Sequence, residues 1–215
     1  RSIEFLATTL HDVPPRQRSV YVTWQHTWEL LTPAMQRALA DLALFRGPFK
    51  LEAALAVAEA SVVDLAALLD AALIQRRANG WYEIHSLIRP LAVQKAEEQP
   101  WRAAARAAAQ RRHSRYHLAY LAAREPELVG PEPHLAAVRI RRRLDDIRQA
   151  WRLASQHGWL AELGEGLDGL ARFYDSSGLV QEAIQLLDWT AERLQVVEGD
   201  DAAGLHSRVL TWLAH

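Results

Sequence analysis

The chain has 215 residues, half of them apolar, and a formal net charge of −1. This composition suits a folded protein with a substantial core and argues against intrinsic disorder. The absence of cysteine excludes disulfides and thiolate metal sites and favours a cytoplasmic setting. No stretch of about 18 uncharged apolar residues occurs, so we predict no transmembrane helix. Alanine, leucine and arginine dominate while glycine and proline are sparse, which favours a mostly helical fold.

The first residues are predicted to form two helices separated by an extended link. Helical spacing covers 2–10 and 16–31, and the consecutive prolines Pro14 and Pro15 interrupt it. The chain begins inside one helical pattern and ends inside another, so we expect a fragment of a longer protein.

Capping residues indicate where the next helices begin. Thr32 followed by Pro33 predicts a cap and first turn, with Gln36 near the capping-box position. Ser61 is predicted to cap a helix at 62–72 in the same way.

The apolar period then changes from helical to alternating. The stretch "LIQRRANGWYEI" places two short runs around Asn79-Gly80, and both of these residues tolerate the positive φ of a two-residue type I′ hairpin turn. A helix that includes Pro90 near its start follows at once. Short helices followed by one hairpin predict a winged-helix domain at 12–98, after a linker or helix of a preceding domain at 1–11.

The remainder is predicted to be entirely helical. We expect a helical linker region at 99–158, whose last helix runs unbroken over 134–157 and ends at Gly158. Truncated helical repeats should occupy 159–215, with a final helix that begins at Leu205.

The pair of helices in this last region fits a tetratricopeptide pattern. That pattern needs large and small residues at fixed offsets so that two helices approach closely and expose an apolar face for the next pair. Thr190 replaces the usual late alanine, and the closing proline is missing. The matching positions are Leu167, Leu170, Ala171, Tyr174, Gly178, Ala183 and Leu187.

Two stretches resemble a known family. Residues 12–58 resemble the segment that follows the nucleotide-binding domain in bacterial STAND signalling ATPases, and 73–92 resemble the end of their winged-helix domain. These ATPases are similar to plant NB-ARC resistance proteins and animal apoptosome ATPases. The match covers roughly 2–98, and the rest resembles the tetratricopeptide sensor region of many bacterial members.

The resemblance implies a role for the junction of the hairpin with the following helix. The family carries a Met-His-Asp motif there, whose histidine approaches the β-phosphate of ADP in the neighbouring ATPase domain. Ile84, His85 and Ser86 occupy the three places. His85 keeps the phosphate ligand, whereas Ser86 replaces the acid and can still cap the helix. Apart from the family, unpaired N–H groups at a helix start and an imidazole together suit an anion.

The chain lacks a G-x-x-x-x-G-K-[ST] loop, so we expect it neither to bind nor to hydrolyse ATP alone, and we predict no enzyme activity. ADP or ATP would be a cofactor of the parent protein only. The implied partners are an upstream nucleotide-binding domain in cis, a protein ligand of the repeats, and further copies of the activated parent.

Charge is distributed unevenly along the chain. Residues 101–152 contain twelve arginines against five acidic residues, a balance of 12 − 5 = +7, and the rest of the chain sums to −8. We therefore predict that this region docks on an acidic partner surface. The docking residues would be Arg139, Arg141, Arg142 and Arg143, although Asp145 and Asp146 could pair with Arg141 and Arg142 within the helix.

One pair of histidines has a spacing that is found in metal sites. His113 and His117 lie four residues apart, a spacing that can chelate Zn²⁺, but no third ligand stands at a suggestive spacing, so we predict no metal site.

Two other functions remain open: a DNA-binding transcriptional regulator that reads DNA with helix 62–72, and a passive repeat scaffold. The segment 61–73 carries two Asp and no Lys or Arg, so we expect no direct contact with nucleic acid.

Overall fold

The computed structural model describes residues 24–214. The helix predicted at 2–10, the link at Pro14 and Pro15 and the start of helix 16–31 lie outside these residues, whose first helical stretch is 24–30. The helices that follow are α1 (Pro33–Leu42), α2 (Leu51–Ala58), α3 (Val62–Asp70), α4 (Ile88–Glu97), α5 (Arg102–Ala122), α6 (Glu125–Leu128), α7 (Pro133–Arg141), α8 (Leu144–His157), α9 (Leu160–Ser176), α10 (Val180–Leu194) and α11 (Asp200–Leu213). The strands are β1 (Phe49–Lys50), β2 (Ile74–Arg76) and β3 (Trp81–Ile84).

The fold is mostly helical with one small sheet, as the composition predicts. The sheet is antiparallel, with the order β1-β3-β2, and Phe49 pairs with Tyr82 while Ile74 pairs with Ile84. Within residues 33–97 the elements therefore follow the order helix, strand, two helices and hairpin of a winged helix. Strand β1 was not predicted, because its two residues carry no alternating pattern. Phe49 is buried and stacks on Phe45, with their ring centres 4.7 Å apart.

The hairpin turn confirms one part of the prediction and corrects another. Asn79 and Gly80 both have positive φ, at 60° and 70°. The loop is nevertheless a three-residue turn, Ala78–Gly80, closed by the Arg77 N–H donating to Trp81 O at 2.7 Å. The prediction of a two-residue type I′ turn is therefore wrong.

The predicted helix caps are present. Thr32 Oγ1 accepts from the Met35 N–H at 3.2 Å, Ser61 forms a capping box with Asp64, and Gly158 ends α8 in the left-handed region. Gln36 does not complete a capping box, because its amide donates to Trp28 O at 2.9 Å.

The helix predicted over 134–157 is broken into α7 and α8. Ala136, Ile140, Leu144 and Ile147 are all buried at continuous helical spacing, which is why the sequence alone indicates one helix. The backbone leaves the helix at Arg143, with φ −121° and ψ 11°, and its guanidinium lies 4.0 Å from the centre of the Tyr120 ring. The last helix also differs from the prediction, because it begins at Asp200 rather than Leu205.

Two clusters of buried apolar residues organise the described chain. One extends from Trp24 to Ala96 and the other from Leu118 to Val209. Helix α5 contacts both, through α2 on one side and through α8 and α9 on the other. No helix among the described residues has the length and apolar character that crossing a bilayer requires.

The tetratricopeptide positions are mostly buried. Leu167, Leu170 and Tyr174 of α9 are at most 1% exposed, and Gly178 has φ +68° in the turn to α10. Thr190, which replaces alanine, is buried and accepts from Trp151 Nε1 at 2.8 Å. The threonine that departs from the repeat pattern thus provides a hydrogen bond between α10 and α8.

Candidate functional site

His85 lies between the end of β3 and the start of α4. Ile84, the last residue of β3, is buried, whereas His85, Ser86 and Leu87 are exposed. The corner therefore anchors the chain through Ile84 and presents the next three side chains outward. This is the location that the sequence predicts for a ligand-facing histidine.

The imidazole of His85 takes part in the start of α4. Its Nδ1 accepts from the Leu87 N–H at 3.2 Å, and its carbonyl accepts from the N–H groups of Ile88 and Arg89. Because Nδ1 is an acceptor, the neutral ring must carry its proton on Nε2. Among the described residues, no hydrogen bond to Nε2 occurs, so the ring offers one outward N–H donor.

These contacts correct the expectation that the helix start offers several unpaired N–H groups to an anion. His85 itself accepts from Leu87, Ile88 and Arg89, and Pro90 has no N–H. The imidazole Nε2–H of His85 is therefore one outward donor at this corner, next to the exposed hydroxyl of Ser86, and the positive end of the α4 dipole supports it.

Ser86 does not have the capping role that was expected of it. Helix α4 begins at Ile88 without a side-chain hydrogen bond at its N-cap residue Leu87, and His85 accepts the Leu87 N–H instead. Ser86 is exposed beside the imidazole, and Leu87 next to it exposes 57% of its surface.

The four predicted docking arginines do not form one stripe. Arg139 forms an ion pair with Glu127 at 2.7 Å, and Arg143 lies over the rings of Tyr120 and Trp81. Arg141 and Arg142 are exposed, and the pairing with Asp145 and Asp146 is wrong.

The two acidic residues contact other partners. Asp145 binds Arg148 at 2.9 Å, and Asp146 accepts from the backbone N–H of Arg46 at 2.7 Å. Most other arginines of 101–152 also pair across elements, including Arg102 and Arg112 with Asp41. Most of the positive charge of this region is thus paired with acidic residues inside the molecule.

The structure groups residues that spacing along the sequence did not connect. Asp146 of α8 lies against His113 and His117 of α5, and all three are at most 2% exposed. The third donor is 33 residues from His113, so only the contact between α5 and α8 reveals it.

Helix α3, the one that a DNA-binding winged helix would use, exposes the wrong side chains for that role. In α3, Val62 and Val63 are exposed by 59% and 77%, and Asp70 is exposed at its end. A DNA-reading helix needs hydrogen-bonding or basic groups on its outer face. This face is apolar and acidic.

The chain matches no protein-family model, and no curated protein or solved structure is significantly similar to it.

Proposed function

We propose that the chain is the regulatory part of a STAND-type signalling ATPase. In this proposal the winged helix at 12–98 docks in cis on an upstream nucleotide-binding domain, and the helical repeats bind a protein ligand. The chain has no catalytic role of its own and acts in the cytoplasm, where it retains ADP in the parent protein.

The observation that carries the proposal is the state of His85. Its ring is exposed, its Nδ1 is held by the Leu87 N–H, and its Nε2–H has no partner among the described residues. A donor fixed in orientation by a second hydrogen bond loses little freedom when an anion arrives, which favours binding. The exposed Leu87 beside it gives the same corner an apolar contact for a docked domain.

The expected contribution of this donor can be bounded. A hydrogen bond to a charged group contributes about 1.5–3 kcal/mol. That range corresponds to about 10- to 150-fold in the retention of ADP. A contribution of this size shifts a closed-to-open equilibrium without fixing it, so that binding of a ligand to the repeats could release the nucleotide.

The helical region would supply the sensing surface. Arg139, Arg141 and Arg142 are exposed, and since Arg139 is paired with Glu127, the partner would bind Arg141 and Arg142, at the end of α7 and just beyond it. We propose that these two arginines bind an acidic protein surface, and that the parent protein self-associates once it has opened.

The test is the rate of ADP release from the parent protein. His85→Ala removes both the cap and the donor, whereas His85→Asn retains a side-chain oxygen that can accept the Leu87 N–H but removes Nε2. Both variants should release ADP about 10- to 150-fold faster than the wild type. His134→Ala, which changes an exposed histidine of α7, is the matched control and should leave the rate unchanged.

Two results would contradict the proposal. One is ADP release from His85→Asn at the wild-type rate, which would assign His85 to capping alone. The other is a parent protein that contains no nucleotide-binding domain upstream of this chain.

A further inference from the structure

A buried group of metal-ligating side chains lies between α5 and α8, away from the corner that contains His85. His113 and His117 are one turn apart on α5, and Asp146 faces them from the first turn of α8. One donor atom from each residue lies within 4.8 Å of the other two. His113 Nε2 and Asp146 Oδ1 are 3.4 Å apart.

The imidazoles of this group lack the partners that buried polar groups normally have. His117 has no hydrogen-bond partner at Nδ1 or Nε2, and His113 has none at Nδ1. Their surroundings are aromatic: Phe45 lies edge-on to both rings, at 5.5 and 5.8 Å, and Tyr116 lies edge-on to His117 at 5.2 Å. A buried polar atom left unpaired costs about 1–3 kcal/mol, and an occupant that accepts electron pairs from the nitrogens would relieve this cost.

We propose that His113, His117 and Asp146 form a binding site for one divalent transition-metal ion, with Zn²⁺ as the ion that the donors fit best. Two imidazole nitrogens and a carboxylate are ligands typical of zinc, and tetrahedral donors about 2.0–2.1 Å from the metal lie about 3.3–3.4 Å from each other. The spacing between His113 and Asp146 already has this value. Ca²⁺ and Mg²⁺ prefer six or more oxygen ligands, which the site does not offer.

The groups around the three ligands support this assignment. The Arg46 N–H donates to Asp146 Oδ1 at 2.7 Å, which orients the carboxylate as second-shell hydrogen bonds do in metal sites.

Two arginines lie near the site. Arg143 and Arg89 act electrostatically on His117 and Asp146. Their positive charges oppose any cation, so binding depends on direct coordination by the two imidazoles and the carboxylate.

The second oxygen of Asp146 faces Gly47. This glycine is half-buried, and a side-chain atom placed on it would meet only Asp146 Oδ2, at 3.8 Å. A fourth ligand, such as water, would be needed to complete four-fold coordination. Because Phe45 of the cluster from Trp24 to Ala96 packs on both imidazoles and Asp146 belongs to α8, a bound ion would lie where the two clusters meet.

The experiment uses the whole chain, stripped of metal with a chelator. Titration with Co²⁺ should produce the intense visible absorption of a tetrahedral site at one equivalent. Zn²⁺ should displace the Co²⁺ and raise the melting temperature. Because these readouts need no variant, they test the site even if its substitutions unfold the protein. The absence of a Co²⁺ band and of a Zn²⁺-dependent melting shift would overturn the proposal.

Variants locate the ion. His117→Gln and Asp146→Asn should each weaken Zn²⁺ binding by more than about 100-fold, because second-shell changes alone typically cost 10- to 100-fold. His134→Gln, at an exposed histidine of α7, should bind Zn²⁺ like the wild type. Binding that is lost in His134→Gln and retained in folded His117→Gln would assign the ion to the surface and overturn the proposal.

Discussion

The two sides of α5 are held in different ways. On the side of α1 and α2, Arg102 and Arg112 bind opposite oxygens of the buried Asp41, at 2.7 and 3.0 Å. On the side of α9, Arg111 pairs with Glu162 in the first turn of α9, and farther along the two helices the contact is apolar and so close that glycines line it. A Cβ on Gly169 would lie 2.8 Å from the Leu121 carbonyl oxygen.

The difference shows what each contact can tolerate. A buried ion-pair network fails when one partner is removed, because the remaining charges stay buried without compensation. A close helix contact fails when an atom is added, because the backbone must move to admit it. The contacts of α5 with α1 and α2 are therefore sensitive to removal of a side chain, whereas its contacts with α9 are sensitive to an added atom.

The largest effect should follow from removal of the shared acid. Asp41→Ala removes the buried carboxylate that Arg102 and Arg112 share, although Glu97 and Glu59 stay within 3.6 and 3.1 Å of them. Loss of one partner of a buried pair costs up to about 3–5 kcal/mol. The free energy of unfolding, measured by urea denaturation, should fall by that amount. Asp70→Ala, at an exposed acid at the end of α3, is the control. Equal stability of the two variants would show that the network contributes nothing.

The apolar side is tested by one added methyl group. Gly169→Ala should destabilise the fold by about 1–3 kcal/mol, because the new Cβ meets the backbone of Leu121. Gly204→Ala in α11 meets nothing within 4 Å and should stabilise its helix by about 0.5–1 kcal/mol. Thermal melting of both variants gives the sign of each change. A gain in stability for Gly169→Ala would refute the close approach.

The second region also contains a buried polar contact. Thr190 accepts from Trp151 Nε1 at 2.8 Å and donates to Leu186 O at 2.8 Å. Thr190→Val should cost about 1–3 kcal/mol, since it leaves a buried indole N–H without an acceptor. Thr211→Val, at an exposed threonine, removes a hydrogen bond of the same kind to Ser207 O and should change stability little. Equal losses of stability in the two variants would mean that the buried hydrogen bond to the indole contributes no more than the exposed one.

The smallest effect concerns pH. Burial alone would raise the pKa of Glu182, but hydrogen bonds from Arg148 and Tyr174 outweigh it and lower the pKa below its usual range. A carboxylate with a lowered pKa stabilises the fold at pH values above its unfolded pKa and loses this effect as pH falls.

The wild type should therefore exceed Glu182→Gln in stability by up to about 1 kcal/mol near neutral pH. The difference should shrink below about pH 4.5. A difference that grows on acidification would contradict the lowered pKa. Unfolding curves between pH 3 and 7 measure it.

Features set by neighbouring residues were predictable from the sequence. Thr32, Ser61 and Gly158 act through atoms within a few positions, and Asn79 and Gly80 reveal their positive φ by residue type. The break at Arg143 was not predictable, because it depends on ring contacts with Trp81 and Tyr120, far away along the chain.

The candidate sites follow the same rule. The pattern placed His85 between an alternating and a helical segment, and the family resemblance implied that its ring faces outward. Its use as a cap for the Leu87 N–H was not, because the sequence favoured Ser86 for that role. The grouping of Asp146 with His113 arises from the packing of two helices, which no local pattern encodes.

The proposed function depends on one physical claim, that His85 directs a free Nε2–H outward from the start of α4. Long-range ¹H–¹⁵N NMR spectra of the chain, recorded where the imidazole is neutral, report which ring nitrogen carries the proton. We expect the Nε2–H tautomer, with rapid exchange of that proton with solvent. A proton on Nδ1, or an Nε2–H protected from exchange, would contradict the claim.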